Sequence, residues 1–464
     1  MKEARLPFSI TNIRLFIAFR IFFNARFYYP IFTILFLDYG LTIEQFALLN
    51  TVWAITIVIA EVPSGALADV FGRKYLIVTT SFLMVIEMLV IAFVPLGNSN
   101  IIFWSFLINR VLSGLAEAMA SGADEAIAYD SLVKEGAAED WPKVLSLQMR
   151  LRSIASIITA TTGALIYDPG FINRILIWFG SSHSVTQQIS MRYPIYLTLL
   201  LAVFACIISL MMNEPEKNDK PEEKYNITQA FNMTWPLMIL LMFRLHTWQA
   251  GKWIARTPFA LAIILIGMCY DHILRMIGTM TSQYYRLIDL PEASFGLIGS
   301  AMALIGLLTP KVAEYMVIRF TPGQNVFWVA LLALTGLFGL TGFFPYLGIL
   351  PMALVIVAIM LVSFFTSHYL NKITESYQRA TVLSFKGLAF NLAYGLIGIF
   401  FAALIQYQKE QGQSAHPDWQ LDTIADFAFI SAVGWFPWYA IATLSTVTIY
   451  CGIRLRKTSS DRKK

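Results

Sequence analysis

The chain has 464 residues, of which 57% are hydrophobic and 14% are charged, and its formal net charge is +5 at pH 7. Soluble proteins carry a larger charged fraction, about a quarter of their residues, so this composition excludes an ordinary soluble domain and indicates a membrane protein. The positive charge does not indicate a nucleic-acid partner, because the basic residues lie in short loops between apolar segments.

Runs of about 20 apolar residues predict helices that cross a lipid bilayer. The predicted spans of the first half are residues 12–37, 45–68, 75–96, 101–129, 148–167 and 193–212. Those of the second half are residues 258–282, 295–318, 326–344, 350–369, 381–407 and 427–453. This pattern predicts an all-α membrane protein with twelve transmembrane helices in two six-helix bundles.

A highly charged stretch that begins at Glu214 separates the two sets of spans. The segment after it is rich in basic and tryptophan residues, and this composition favours an amphipathic helix in the cytoplasmic membrane interface. We therefore expect an N-terminal bundle at residues 1–213, a cytoplasmic linker with an interfacial helix at residues 214–256, and a C-terminal bundle with a basic cytoplasmic tail at residues 257–464.

The distribution of basic residues predicts which side of the membrane each loop faces. With both termini inside, the inner loops hold most of the lysines and arginines, and the outer loops hold only Arg174, Arg192, Arg286 and Lys409. An excess of positive charge on one side is typical of the cytoplasmic face. We therefore expect a multi-pass membrane protein with both termini in the cytoplasm.

The connection between the second and third spans carries the most distinctive motif of the chain. Gly65 and Gly72 lack a Cβ atom, which allows neighbouring helices to approach closely and the chain to reverse in a tight turn. Asp69 can interact with a helix N-terminus or a nearby arginine, while Arg73 and Lys74 favour the cytoplasmic side. We expect a tight turn at the membrane surface here.

The motif Gly-x-Leu-x-Asp-x-x-Gly-Arg-Lys at residues 65–74 resembles the signature between helices two and three of the major facilitator superfamily of transporters. Three further segments resemble bacterial members of this family: Arg110-x-x-x-Gly114, residues 121–130, and the loop at residues 369–384 that includes Arg379. The resemblance implies a transporter of a bacterial inner membrane. Its conformational gating motif would comprise Gly65, Asp69, Gly72, Arg73, Lys74 and Arg379.

One segment departs from the pattern of a family subgroup. The drug/proton antiporters of the family carry a glycine-rich stretch with Gly-Pro in helix five. Residues 161–170 end the fifth span here without that pattern. The difference weakens the prediction of a multidrug antiporter.

The two halves of the sequence also resemble each other. A shift of 249 residues places Arg26 opposite Arg275 and residues 46–49 opposite residues 295–298 without any gap. An embedded arginine at a matching depth in each half is typical of a duplicated bundle.

The resemblance implies that helices one, four, seven and ten line a central cavity. Charged groups in these spans are candidate functional residues, because each costs a few kcal/mol in lipid unless it is paired or faces water. The polar candidates are Arg20, Asn24, Arg26 and Tyr29 in helix one, Arg110, Glu117 and Asp124 in helix four, Asp271, His272 and Arg275 in helix seven, and His368 in helix ten.

We expect Arg26, Arg110 and Arg275 to present positive charge to an anionic or zwitterionic solute. Arginine suits this role because it can bind a carboxylate or phosphate with two hydrogen bonds. The other candidate substrate-binding residues are Asn24, Tyr29 and His272.

Glu117 and Asp271 are candidate proton carriers, because a carboxylate in a poorly solvated cavity can change its charge during a transport cycle. Glu117 lies seven residues after Arg110 and therefore shares its helix face. Asp271 and Arg275 are four residues apart and can form an ion pair. The alternative for each group is a fixed structural pair, either Asp271 with Arg275 or Arg110 with Glu117.

These observations predict a monomeric, proton-coupled secondary transporter that moves a small organic solute by alternating access. The alternatives are a drug or metabolite efflux pump and, in another class, a membrane receptor or lipid-handling protein that does not transport. The sequence contains no Gly-x-x-x-x-Gly-Lys-Ser/Thr phosphate loop, His-Glu-x-x-His motif or clustered cysteines. We therefore expect no enzymatic activity, no cofactor and no metal site.

Overall fold

The computed structural model describes residues 6–120, 123–135, 138–214, 248–374 and 376–461. The helices of the N-half, residues 6–214, are α1 (Thr11–Asn24), α2 (Phe32–Asp38), α3 (Ile43–Phe71), α4 (Arg73–Ala92), α5 (Ser99–Ala120), α6 (Ala123–Lys134), α7 (Trp141–Tyr167), α8 (Pro169–Trp178), α9 (Gln187–Ser190) and α10 (Tyr193–Met211). Those of the C-half, residues 248–461, are α11 (Trp248–Arg256), α12 (Pro258–Thr279), α13 (Thr281–Leu287), α14 (Phe295–Arg319), α15 (Pro322–Leu340), α16 (Ile349–Ile373), α17 (Ser376–Ala415) and α18 (Leu421–Asp461). No strand occurs in the described residues, and the fold is all-α as predicted.

In the described part of the chain, ten helical segments are long and apolar enough to cross a membrane. They correspond to ten of the twelve predicted spans. The two remaining spans are the first, which is broken into α1 and α2, and the fifth, which is the 27-residue helix α7. The fifth span is less apolar because its first half carries Lys143, Arg150 and Arg152.

The first predicted span is broken in its middle instead of forming one continuous helix. α1 ends at Asn24, a 3-10 turn covers Tyr29–Ile31, and α2 begins at Phe32. Pro30 explains the break, because proline has no N–H group to donate and disfavours a helical conformation in the residue before it. The break leaves Arg26 between two helical segments, in the interior of the span.

Turns of the same geometry follow the first and seventh spans. At the 249-residue offset Gly40 corresponds to Asp289, and both have positive φ, +100° and +62°. In each turn a backbone N–H donates to the carbonyl five residues earlier, from Leu41 to Phe36 and from Leu290 to Tyr285, both at 3.1 Å. The offset that aligns Arg26 with Arg275 in the sequence therefore also aligns two backbone turns.

The connection between α3 and α4 is shorter than the predicted turn. α3 continues to Phe71, and only Gly72 departs from helical geometry, with φ +95° and ψ 148°. Glycine adopts this conformation at little steric cost, so the chain reverses at one residue. The backbone N–H groups of Arg73 and Lys74 donate to the Glu214 carboxylate at 3.0 and 2.8 Å, which stabilises the N-terminus of α4.

Part of the predicted gating motif is described and part is not. Arg73 forms an ion pair with Asp130 of α6. Gly65, Asp69 and Arg379 lie in helical segments whose side chains are outside the described part of the structure.

Residues 215–247 of the predicted linker are also outside the described residues. The last part of the predicted interfacial helix is described as α11. Its Ile254 is buried in an apolar cluster with Val382 and Phe390 of α17. α17 itself extends beyond both ends of the predicted span 381–407.

Among the described residues, the buried core that the two halves share extends to one side of the protein and not to the other. We call the side with Thr11 and Arg456 the terminal side, and the side with Asp38 and Arg286 the distal side. One buried cluster contains residues of both halves, including Phe36 and Tyr285 near the distal side. On the terminal side, among the described residues, one cluster belongs to the N-half alone and another to the C-half alone.

Candidate functional site

A buried ion pair lies beneath the break in the first span. Arg26 Nη1 donates to Glu87 Oε1 of α4 at 2.7 Å, and the two residues are 6% and 0% exposed. The sequence analysis missed Glu87, although it is the sole acidic residue of the predicted span 75–96. Such a pair balances a charge that would otherwise be very costly to bury.

Arg110 of α5 is also buried, but its described partners are neutral. Its Nε and Nη2 atoms donate to Asn109 Oδ1 at 3.1 and 2.9 Å, and its guanidinium lies over the rings of Phe32 and Phe36. Asn109 is fixed in turn, because its Nδ2 donates to the backbone carbonyl of Glu87 at 3.0 Å. Among the described residues Arg110 has no carboxylate partner, so its charge is not cancelled by an ion pair.

The corresponding group of the C-half is built around Arg275. Its side chain forms an ion pair with Asp271, its Nη1 donates to Asn391 Oδ1 of α17 at 2.9 Å, and its guanidinium lies 4.7 Å from the ring centre of Tyr394. Lys386 of α17 interacts electrostatically with both Asp271 and Arg275. The predicted pair of Asp271 with Arg275 is therefore present, and it is open to a further interaction because both side chains are partly exposed.

A cavity of about 440 Å³ lies between the halves and is lined by α12, α13, α14 and α16 of the C-half and the broken span of the N-half. Tyr29 lines it and is 57% exposed. Phe32 lines it as well and covers Arg110. On the opposite side, Thr279 lines the cavity and its Oγ1 lies 3.5 Å from the hydroxyl of Tyr394. The cavity is thus bordered by Phe32, which contacts Arg110, and by Thr279, which contacts Tyr394, the aromatic partner of Arg275.

Glu117 and Asn24 do not line this cavity. Glu117 of α5 is exposed and interacts electrostatically with Tyr29. It forms no described ion pair with Arg110. The fixed pair of Arg110 with Glu117, one of the alternatives from the sequence, is therefore not seen among the described side chains. Asn24 donates from Nδ2 to the carbonyl of Arg20 at 2.8 Å, which ties it to its own helix.

His272 does not bond to the group of Asp271, Arg275 and Asn391. Its Nδ1 lies 2.6 Å from the carbonyl of Met268, and its Nε2 lies 3.1 Å from the hydroxyl of Tyr439 of α18. Asp271 and His272 are neighbours in the sequence but point to different partners, because successive helical residues are separated by about 100°.

Three other polar candidates, Arg20, Asp124 and His368, have partners of their own. Asp124 is 2% exposed and forms an ion pair with Arg20, which also binds Glu125. His368 stacks on the ring of Phe364. No group of three histidine, cysteine, aspartate or glutamate residues with metal-site geometry occurs in the described chain.

An ion-pair network that the sequence analysis missed joins the halves at the distal side. Arg286 of α13 binds the carboxylate of Asp38 of α2 with two hydrogen bonds and also donates to Glu292 at 2.9 and 2.6 Å. Asp38 further accepts hydrogen bonds from Tyr167 and Gln187. The positions of Asp38 and Arg286 in the sequence could have indicated this pair. Both charges lie at the ends of corresponding spans, the first and the seventh.

Further contacts join the halves on the same side. They are the ion pair of Glu44 with Lys409 at 2.7 Å, and the hydrogen bonds of Thr33 with Ser282, Thr51 with Gly395 and Thr161 with Ser300. Where both partners are described, the hydrogen bonds and ion pairs between the halves all lie in the distal part of the protein. The described contacts therefore close the distal side.

The chain is similar to known transporters. A family model described as Major Facilitator Superfamily matches residues 14–408. No curated protein matches the chain in sequence. Among solved structures, a bacterial homolog of the human lysosomal transporter Spinster has a TM-score of 0.69 at 11% identity, with 98% of each chain covered.

Two other solved structures extend this comparison. The nucleoside transporter NupG has a TM-score of 0.68 at 11% identity, covering 95% of this chain and 98% of its own. A D-xylose-proton symporter has a TM-score of 0.59 at 16% identity, covering 94% and 96%. At these identities the likeness to the solved structures establishes a common fold.

Proposed function

Because the chain belongs to the major facilitator superfamily, and is therefore a transporter and not an enzyme, we propose that it moves a small anionic or zwitterionic organic solute by alternating access. The solute would bind in the cavity between the halves. The domain boundaries expected from the sequence, with a linker after residue 213 and a second bundle from residue 257, are part of the proposal.

The observation that carries the choice of substrate is the environment of Arg110. Arg26 is balanced by Glu87, and Arg275 is balanced by Asp271. Arg110 has only neutral described partners, and Lys386 adds a second positive charge near the C-half group. A carboxylate or phosphate would supply the missing counter-charge, and arginine can hold either with two hydrogen bonds.

Glu117 and Asp271 are the proposed proton carriers. Protonation of Glu117 would remove a negative charge that acts on Tyr29 at the cavity and so favour the binding of an anion. Protonation of Asp271 would release Arg275 from its ion pair and make the guanidinium available to the solute. Either event would couple proton entry to substrate binding.

Alternating access is supported by the unequal packing of the two sides. The distal side is joined by the network around Asp38 and Arg286, while the terminal side has a separate buried cluster in each half. With both termini in the cytoplasm, as the basic loops indicate, this state would open the cavity to the cytoplasm. The segment with Gly65, Asp69, Gly72, Arg73, Lys74 and Arg379 would then close the terminal side in the opposite state.

Flux into vesicles tests the proposal. Purified protein in vesicles would be offered radiolabelled glutamate, lactate, glucose and tetraphenylphosphonium. We expect glutamate or lactate to move faster than in empty vesicles, and Arg110→Gln to lower the initial rate at least about tenfold, the effect of one charged hydrogen bond. Arg174→Gln is the matched control, because Arg174 is exposed on α8 and bonds to the carbonyl of Gly170.

Two other outcomes would contradict the proposal. Movement of glucose or tetraphenylphosphonium alone would contradict an anionic or zwitterionic substrate. Saturable binding of glutamate or lactate without flux would favour a receptor that does not transport.

A further inference from the structure

A second recess lies on another face of the C-half, away from the contacts that join the halves. It is a groove between α12, α17 and α18 with a volume of about 630 Å³, within the range of small-molecule sites, about 300–1,000 Å³. Leu396 and Phe400 of α17 line it and are 59% and 45% exposed. We call it the lateral groove.

The polar atoms of the lateral groove form a defined hydrogen-bond pattern. A carbonyl can only accept, so His272 Nδ1 must carry the hydrogen that it donates to Met268 O at 2.6 Å. The residue is 7% exposed, and its bonded partners among the described residues are a carbonyl and a hydroxyl and include no carboxylate, which favours the neutral imidazole. Its Nε2 is then an acceptor, and the hydroxyl of Tyr439 donates to it at 3.1 Å.

The other hydroxyls of the groove have also used their hydrogens. Thr443 Oγ1 donates to the carbonyl of Tyr439 at 2.8 Å, and Thr446 Oγ1 donates to the carbonyl of Ala442 at 2.7 Å. The nitrogen and oxygen atoms of the side chains that line the groove therefore offer acceptor lone pairs and no free donor, and the thiol of Cys269 is at most a weak donor. A complementary occupant must bring a donor of its own.

The depth of these atoms selects the kind of occupant. α12 and α13 together form one span from Pro258 to Leu287, and His272 lies at its middle, about 21 Å along the helix from Pro258 at a rise of 1.5 Å per residue. The hydrocarbon core of a bilayer is about 30 Å thick, so this point lies far from the phospholipid headgroups. A charged headgroup does not reach it, whereas a neutral molecule dissolved among the acyl chains does.

We propose that the lateral groove binds one lipophilic alcohol or phenol from the bilayer. Its hydroxyl donates to the oxygen of Tyr439, whose own hydrogen is held by His272. Its hydrocarbon body lies along Leu396 and Phe400, which would otherwise contact acyl chains. The site is distinct from the cavity between the halves. Asp271 and Arg275 of the same helix bond to each other and to Asn391, and none of these residues lines the groove.

Photo-crosslinking of purified protein in lipid nanodiscs tests this site. The probe is hexadecanol with a diazirine in its chain, and labelled peptides are identified by mass spectrometry. We expect labelling on the groove segments of α12, α17 and α18. Unlabelled hexadecanol should suppress it about fivefold more effectively than hexadecyl methyl ether, which has the same chain and oxygen but no donor, because one hydrogen bond is lost.

Two pairs of variants locate the interaction. Tyr439→Phe should lower labelling about fivefold, the loss of one hydrogen bond, while Tyr450→Phe, on the same helix and outside the groove, should not. Leu396→Trp should fill the groove and block labelling, while Leu392→Trp, one turn away and also exposed, should leave it unchanged. Equal competition by the ether, or labelling spread over helices outside the groove, would overturn the proposal without recourse to any variant.

Discussion

Asp38 and Arg286 form a two-pronged ion pair that joins the two halves of the protein. Nη1 and Nη2 of Arg286 donate to Oδ1 and Oδ2 of Asp38, each at 2.8 Å. Such parallel hydrogen bonds are geometrically specific, so they cannot survive a rotation of one half against the other. Opening of the distal side must break this pair.

The first prediction concerns Asp38→Asn. The change removes the carboxylate from the distal network and should shift the population toward a state with an open distal side. We expect a shift of at least about tenfold, since a hydrogen bond to a charged group contributes about 1.5–3 kcal/mol. The measurement is the rate at which a membrane-impermeant maleimide, added from the distal side, labels Thr281→Cys in a cysteine-free background.

Asp289→Asn is the control for this variant. It is the same chemical change on the same side, in an exposed residue whose φ of +62° asparagine tolerates. Unchanged labelling in Asp38→Asn, or an equal increase in both variants, would mean that the Asp38 pair does not hold the distal side closed.

The second prediction concerns the contact of α7 with α14. A Cβ atom at Gly296 would overlap the backbone of Ala160, whereas one at Gly299 would meet no atom within 4 Å. Gly296→Ala should therefore separate these helices at the distal side and raise maleimide labelling of Thr281→Cys. Gly299→Ala, one turn along the same helix, should not. Equal labelling rates in the two variants would show that the backbone adjusts without opening.

The third prediction concerns the stability of the N-half. Glu87→Gln should lower the thermal unfolding midpoint strongly, because breaking a buried ion pair by removing one partner costs about 3–5 kcal/mol. Glu125→Gln removes a half-exposed partner of Arg20 and should have a small effect. The midpoint would be followed by the intrinsic fluorescence of the purified protein.

A double variant separates charge imbalance from lost packing. Arg26→Met combined with Glu87→Leu leaves neither charge in the buried site and should recover part of the stability that Glu87→Gln loses. A double variant less stable than Glu87→Gln would indicate that the pair contributes through its shape and hydrogen bonds instead.

The fourth prediction concerns proton coupling. Glu117→Gln or Asp271→Asn should make solute flux into vesicles independent of an imposed pH gradient, because neither variant side chain can take up a proton at that position. The control is Glu125→Gln, an exposed acidic residue of the same region that should keep the dependence. Full gradient dependence in both Glu117→Gln and Asp271→Asn would remove these residues from the coupling mechanism.

Much of the fold follows from composition and periodicity. The apolar runs predict the helices well, since a span of about 20 residues has few alternatives in lipid. The breaks within spans are harder to predict. Pro30 carries a signal for the first, but the interruption at Met280 contains no proline, and Thr279 and Ser282 on either side of it are hydrogen-bonded to Thr33 of the other half.

The candidate site was predictable only in part. The charges on helices one, four and seven stand out in apolar sequence, and Arg26, Arg110, Asp271 and Arg275 were identified in this way. The pair of Asp271 with Arg275 was identified as well, but Glu87, the partner of Arg26, was not, because it lies on a helix that the resemblance does not assign to the cavity. His272 was grouped with Asp271 and Arg275 because it is close to them in the sequence. Its ring is instead bonded to Tyr439, 167 residues away.

The distal ion pair also makes the two halves unequal, despite their shared turns. At the 249-residue offset Asp38 corresponds to Leu287, and Arg286 corresponds to Leu37. Two copies of the N-half would bring Asp38 against a leucine, and two copies of the C-half would leave Arg286 with Glu292 but without the carboxylate of Asp38. Fragments produced separately should therefore assemble as unlike partners, because the residues of this ion pair do not repeat at the 249-residue offset.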